Sequence, residues 1–236
     1  MGELGEARAR LVLALDDDDL GRATAAATAL APFFATVKVG LELFAAAGPQ
    51  AFAVLGAAGF ALFADLKLHD IPTTVERAAR VIGREGVALV TLHTAGGAAM
   101  LRAGVEGLAA GAAEAGVAPP RALGVTVLTS EAQAPVALLT ERARLAEAAR
   151  CAGVVCAAPD LAVVRAAAPG LLSVVPGIRL AGAPAHDQAR VATPAQALAA
   201  GADLLVCGRA VLQAPDPEAA AASLCAQVAE ALRDRA

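Results

Sequence analysis

Tryptophan and tyrosine are absent from this 236-residue chain, and six phenylalanines supply its whole aromatic content. The stacking platforms on which single-stranded nucleic acids usually rest are therefore missing. There is no basic excess either: 19 Lys and Arg stand against 23 Asp and Glu, for a net charge of -4. A nucleic-acid partner is disfavoured on both grounds. Cysteine is scarce. Cys151, Cys156, Cys207 and Cys225 form no C-x-x-C pair, and three of them sit in apolar or Ala-rich surroundings. Buried thiols are expected, with no disulfide and no metal site. No apolar run reaches the roughly 18 residues that a membrane span needs. Met1 to Arg10 is mixed in charge and has no apolar core, so a secretory signal is not expected and a cytoplasmic location is.

What the chain does have is alanine and short apolar runs. The composition is 58% hydrophobic and 18% charged, which at this length predicts a single packed domain over residues 1–236. Strands are expected at Leu11 to Leu15, Thr36 to Gly40, Phe60 to Leu66 and Val87 to Leu92, then at Arg121 to Leu128, Gly153 to Ala157, Leu172 to Pro176 and Asp203 to Cys207. Helices are expected between them at Leu20 to Leu30, Glu42 to Ala58, Val75 to Gly83, Ala98 to Ala115, Ala137 to Arg150, Leu161 to Ala167 and Ala195 to Ala200. Asp216 to Arg233 closes the series. The strands are almost continuously apolar, as in a parallel sheet covered on both faces. Eight such βα units predict an α/β fold of the (β/α)8 TIM-barrel type, with its site at the C-terminal strand ends. A doubly wound open sheet is the alternative. No G-x-G-x-x-G follows the first strand, which counts against it.

Polar residues do gather at those strand ends: Asp16 after the first, Lys38 in the second, Asp65 and Lys67 in the third, His93 after the fourth. Thr129 and Ser130 follow the fifth, Arg179 the seventh, and Gly208 and Arg209 the eighth. An unpaired buried lysine costs several kcal/mol, so Lys38 needs a carboxylate, and Asp16 and Asp65 on the flanking strands are the expected partners. In a regular pleat Asp65 and Lys67 share one face and Leu66 takes the other. The stretch continues through His69 and Asp70 to Pro72, Thr73 and Thr74, which suit the first turn of a helix. Gly177, Arg179, Gly208 and Arg209 match the phosphate site common after strands seven and eight of such barrels. The polar, Gly- and Ala-rich segment from Leu180 to Arg190 reads as a lid. The run Asp17-Asp18-Asp19 is expected to cap the helix from Leu20 and to face water. His69 reads as structural, while His93 and His186 stay open in role, without the short helical spacing of a zinc site.

Seven pieces in order carry a family resemblance: ALD at 14–16, KVG at 38–40, DLKLHDIPTT at 65–74, TVLTS at 126–130, PGIR at 176–179, HDQARVATP at 186–194 and CGRA at 207–210. Together they resemble the orotidine 5'-phosphate decarboxylases along nearly the whole chain. The resemblance implies conversion of orotidine 5'-monophosphate to UMP and carbon dioxide, the last step of de novo pyrimidine synthesis, with no metal or organic cofactor. It implies that Lys67 protonates C6, that Asp65 held by Lys38 faces the substrate carboxylate, and that Asp70 completes a charged array. It further implies that Asp16 and Lys38 contact the ribose, and Thr129 and Ser130 the pyrimidine end. Arg179, Gln188, Gly208 and Arg209 would grip the phosphate. Asp70, Ile71 and Thr74 would reach into the partner's site in a homodimer with shared active sites. The nearest rivals are the 3-keto-L-gulonate 6-phosphate decarboxylases and hexulose phosphate synthases, which share D-x-K-x-x-D but resemble a pattern with a carboxylate where Lys38 stands. From a different class, a barrel kept only as a binding or scaffolding protein would tolerate loss of the array, and here no member is missing.

Overall fold

The structure is a computed structural model that describes residues 2–131, 133–180 and 190–234. The strands are β1 (Leu11–Leu15), β2 (Thr36–Val39), β3 (Ala61–Leu68), β4 (Leu89–His93), β5 (Arg121–Val125), β6 (Gly153–Val155), β7 (Leu172–Val175) and β8 (Leu204–Cys207). Each pairs in parallel with its sequence neighbour, and β1 pairs with β8 to close the barrel. The helices, in chain order, are α1 (Glu3–Arg10), α2 (Leu20–Ala29), α3 (Leu41–Ala47), α4 (Gln50–Ala57), α5 (Pro72–Gly83) and α6 (Gly97–Ala115). They continue with α7 (Val136–Ala148), α8 (Leu161–Ala167), α9 (Pro194–Ala199), α10 (Arg209–Leu212) and α11 (Pro217–Arg233). None is long and apolar enough to cross a membrane.

Two apolar layers follow from the two faces of each strand. On β1, Leu11, Leu13 and Leu15 join the shell packed under the helices, with Ala23 and Ala27 of α2. Val12 and Ala14 point the other way and meet Phe63, Leu89, Leu123, Val174 and Val206 inside the barrel. Continuing the same alternation toward the C-terminal ends brings Asp16, Lys38 and Asp65 above that inner layer. Hydrophobic filling below and charge above are thus one period-2 pattern read along successive strands.

The expected helix over Glu42 to Ala58 is two helices. Gly48 has φ 58, a left-handed conformation that glycine adopts without penalty, and Pro49 then starts α4 in a new direction. The N-terminal residues form α1, which the sequence reading left unassigned. Its short polar sequence buries only Ala7, and it is held by long-range contacts: Arg233 to Glu3 at 2.7 Å and Arg8 Nε to the Ala31 carbonyl at 3.0 Å.

Helices α5 and α6 approach unusually closely, because glycines line their contact. A Cβ on Gly111 would lie 1.9 Å from the Arg80 carbonyl oxygen, and one on Gly107 2.3 Å from that of Glu76. The contact runs along α5 from Glu76 to Arg80, in the helix that follows the Asp65 to Asp70 stretch. We expect Gly111→Ala to lower stability by about 1–3 kcal/mol through this clash, although alanine favours an open helix by about 1 kcal/mol. Gly56→Ala in α4, where the new methyl would meet only Leu62 Cδ1 at 3.4 Å, should be neutral or stabilising. Urea unfolding of both proteins checks the pair, and an unchanged midpoint for Gly111→Ala contradicts the packing argument.

Candidate active site

Asp65 is the centre of the site. Its side chain is 13% exposed and lies between two ammonium groups, with Lys67 Nζ at 2.8 Å from Oδ1 and Lys38 Nζ at 3.4 Å from Oδ2. Lys38 also stands 3.4 Å from Asp16 Oδ1. The order Asp16, Lys38, Asp65, Lys67 therefore alternates in sign across β1, β2 and β3, as the strand-end pattern predicts. Gly40 leaves room for it, since a Cβ there would lie 3.0 Å from both Asp16 Oδ1 and Lys38 Nζ. Burial opposes ionisation of Asp65; the two lysines and the hydrogen bonds from Lys67 and Thr91 outweigh it, so its carboxyl titrates below the usual carboxylate value. A depressed folded-state pKa stabilises the fold at neutral pH, and that contribution is lost as pH falls through the folded value.

The backbone at Lys67 departs from the regular pleat of the sequence expectation. Between the paired residues Ala64↔Val90 and Leu68↔Leu92, the three residues Asp65, Leu66 and Lys67 of β3 stand opposite Thr91 alone. The bulge places Lys67 at φ 48, where a non-glycine residue stores about 1–3 kcal/mol of strain. Thr91 holds it there. Its buried hydroxyl accepts from the Lys67 backbone N–H at 2.8 Å and donates to Asp65 Oδ1 at 3.0 Å. The sequence reading missed Thr91 because its signal is only a hydroxyl inside an apolar strand.

A pocket opens beside this array. Ala14, Phe63, Val125, Val155 and Val206 form its apolar part, and Asp16, Lys38, Asp65 and Lys67 its charged part. Leu128, Thr129, Gly177, Arg179, Gly208 and Arg209 contribute to the lining from the loops after β5, β7 and β8. Arg179 is buried, with one guanidinium nitrogen donating to the Ile178 carbonyl at 2.9 Å. Gly177 has φ 79, a conformation that favours glycine. Asp70, Ile71, Thr74 and Ser130 do not line the pocket of their own chain. They are exposed, and Ile71 presents 66% of its surface on the stretch that leads into α5. Asp70 is thus not in the charged array within one chain; its carboxylate accepts from the Ile71 N–H at 2.7 Å. Gln188 and His186, and most of the expected lid, lie outside the described residues.

The remaining expectations resolve into local structure. Asp19 caps α2 by accepting from the Arg22 N–H, and the Arg22 guanidinium bridges Asp17 and Asp18, so the acidic run is partly offset by one cation at the surface. His69 and His93 stack with ring centres 5.3 Å apart. His93 Nδ1 accepts from the Ala95 N–H, capping the 3-10 turn Thr94–Gly96. Burial first, then the neighbouring His69 and Arg142, lowers the His93 pKa, in the direction that favours a neutral ring as acceptor. All four cysteines are buried free thiols, and burial pushes Cys151, Cys156 and Cys207 up to about 12. Thr91→Val should cost about 1–3 kcal/mol, since it leaves the Lys67 N–H without its acceptor. Thr91→Ser should retain most of that stability in urea unfolding, and a Thr91→Val protein as stable as the parent contradicts the role given to the hydroxyl.

Comparison with known proteins agrees with the geometry. The family model described as "Orotidine 5'-phosphate decarboxylase / HUMPS family" matches residues 9–224. A protein of Anaeromyxobacter dehalogenans named orotidine 5'-phosphate decarboxylase is 50% identical over 228 residues, covering 92% of this chain and 97% of the relative. One of that name from Lactiplantibacillus plantarum is 46% identical over 220 residues, covering 88% and 93%. The crystal structure of orotidine 5'-phosphate decarboxylase from Lactobacillus acidophilus superposes with a TM-score of 0.77 at 30% identity, covering 92% of this chain and 98% of that one. On the strength of the family match, the curated relatives and the barrel they share, the chain belongs to the orotidine 5'-phosphate decarboxylase / HUMPS family.

Proposed function

We propose that this protein decarboxylates orotidine 5'-monophosphate to UMP and carbon dioxide, without a metal or organic cofactor. The observation that carries this reading within the family is Lys38. Its ammonium stands 3.4 Å from both Asp16 and Asp65, at the position where the rival 3-keto-L-gulonate 6-phosphate decarboxylases and hexulose phosphate synthases, whose pattern implies bound magnesium, resemble a carboxylate. A cation fixed between those two carboxylates repels a divalent metal.

In the proposed reaction the substrate carboxylate enters beside Asp65, where two negative charges in a partly buried site repel each other. The bond from C6 to the carboxylate carbon breaks, its electron pair stays on C6, and neutral carbon dioxide leaves. Lys67 Nζ stabilises the developing carbanion and then transfers a proton to C6, regaining one from solvent. That carbanion lies in the ring plane, where the π system cannot delocalise it, so fixed positive charge has to be in place beforehand. The Lys67 to Asp65 contact and the bulged backbone provide it.

Binding away from C6 supplies the remainder. Arg179, Gly208 and Arg209 would hold the phosphate together with Gln188; Asp16 and Lys38 would hold the ribose, and Thr129 the pyrimidine end, while the exposed Ser130 takes no contact there. The exposed Asp70, Ile71 and Thr74 fit a contribution to the site of a second copy, which makes the active form a homodimer with shared sites. A cytoplasmic, single-domain enzyme completes the reading.

The test is loss of orotidine 5'-monophosphate absorbance with purified protein, with and without EDTA. Turnover unaffected by the chelator is expected; magnesium-dependent decarboxylation of a keto-sugar phosphate instead would overturn the assignment. Lys67→Ala and Asp70→Ala should each lose about a thousandfold or more. Mixed and allowed to exchange subunits, the two should recover about a quarter of the parent activity, since half the dimers then carry one intact site of two. No recovery despite demonstrated exchange contradicts the shared site.

A further inference from the structure

Arg190 belongs to the HDQARVATP piece, yet neither the sequence reading nor the charged array gives it a task. Its guanidinium is buried between two other loops. One nitrogen pairs with Asp160 Oδ2, and another donates to the Leu128 carbonyl at 2.9 Å. The side chains of Arg190 and Asp160 are 8% and 7% exposed, so this is a desolvated ion pair rather than a surface contact. Asp160 ends the 3-10 turn Ala158–Asp160 that follows β6. Leu128 immediately precedes Thr129, which lines the pocket.

The same short segment grips the other side of the site. Two residues after Arg190, Ala192 bridges Ile178: its carbonyl accepts from the Arg179 N–H at 3.0 Å, and its N–H donates to the Gly177 carbonyl at 3.3 Å. One stretch of chain therefore holds the turn that carries Arg179 by its backbone and the turn that carries Thr129 by its side chain. Asp160 fixes the guanidinium that makes the second contact.

We propose that Arg190 and Asp160 are positioning residues that set the separation of the two ends of the binding site, so that a ligand can engage Arg179 and the Thr129 loop at once. This rests on the reading that the ligand is a nucleoside monophosphate spanning those ends. Neither residue touches the ligand. Their effect is on the effective concentration of one end of the site once the other is bound. A misplacement of about 1 Å at one end is enough to lose about a hundredfold in such arrangements.

Removing Arg190 alone leaves Asp160 charged and buried, and such a protein would unfold for reasons unrelated to positioning. The informative variant removes both charges: Asp160→Leu with Arg190→Met. An apolar pair of similar volume generally preserves or raises stability, while the donor to Leu128 is lost. We expect a thermal midpoint close to the parent, UMP affinity lowered at least tenfold, and inhibition by inorganic phosphate, which needs one end only, unchanged. Arg190→Lys, which keeps the charge beside Asp160 but not the planar two-sided donor set, should lose at least threefold in UMP affinity. It decides the matter if the paired variant does not fold. Parent-like UMP affinity in either folded variant overturns the proposal, and so does a parallel fall in phosphate affinity, which would mean that Arg190 merely supports the Arg179 turn. If the parent protein itself neither binds UMP nor consumes orotidine 5'-monophosphate, the functional reading fails first, and that failure is visible before any variant is made.

Discussion

A partly buried carboxylate held between two ammonium groups is the constraint on which the rest of this site depends. Burial opposes ionisation of Asp65 at 13% exposure, and Lys38 and Lys67 outweigh it; in turn Asp65 gives each lysine a carboxylate partner at its strand end. Each charge is the condition for the next, from the half-exposed Asp16 inward. The barrel brings them together because β1, β2 and β3 are neighbours in parallel register, with Ala14 beside Lys38 and Lys38 beside Phe63. Side chains continuing that interior face past the apolar layer meet at one end.

Holding the array has a structural cost, visible as the bulge in β3 and the left-handed backbone at Lys67. Thr91 on β4 offsets it with two hydrogen bonds. Further support lies farther out: the glycine-lined contact of α5 with α6 secures the chain after the bulge, and the buried Arg190 and Asp160 pair ties together three loops on the opposite side of the barrel. The charged centre is thus preorganised by packing and hydrogen bonding before any ligand arrives, which is what electrostatic stabilisation of a short-lived carbanion requires.

Much of this was legible in the sequence, for identifiable reasons. Continuous apolar runs mark parallel strands, and β1 falls at Leu11–Leu15 as expected because Asp16 ends it abruptly. Lys38 inside such a run signals a buried partner. What could not be read depends on contacts between distant residues. Residues Asp65 to Lys67 look like an ordinary strand until β4 is paired to them, and Thr91 has no meaning until that pairing exists. The α1 helix is too polar to announce itself without α11. Arg190 and Asp160, 30 residues apart in sequence, look like two ordinary surface charges. Ser130 follows Thr129 in sequence, but the turn there sends it to the surface while Thr129 lines the pocket.

The most direct test of the central interaction is a carbon-13 NMR titration of the Asp65 carboxyl in the parent protein and in Lys38→Met. The account predicts a parent midpoint below the ordinary aspartate value of 3.8, moving up once one of the two cations that oppose the effect of burial is gone. An Asp65 that titrates at or above 3.8 in the parent, or that is indifferent to Lys38→Met, would contradict it.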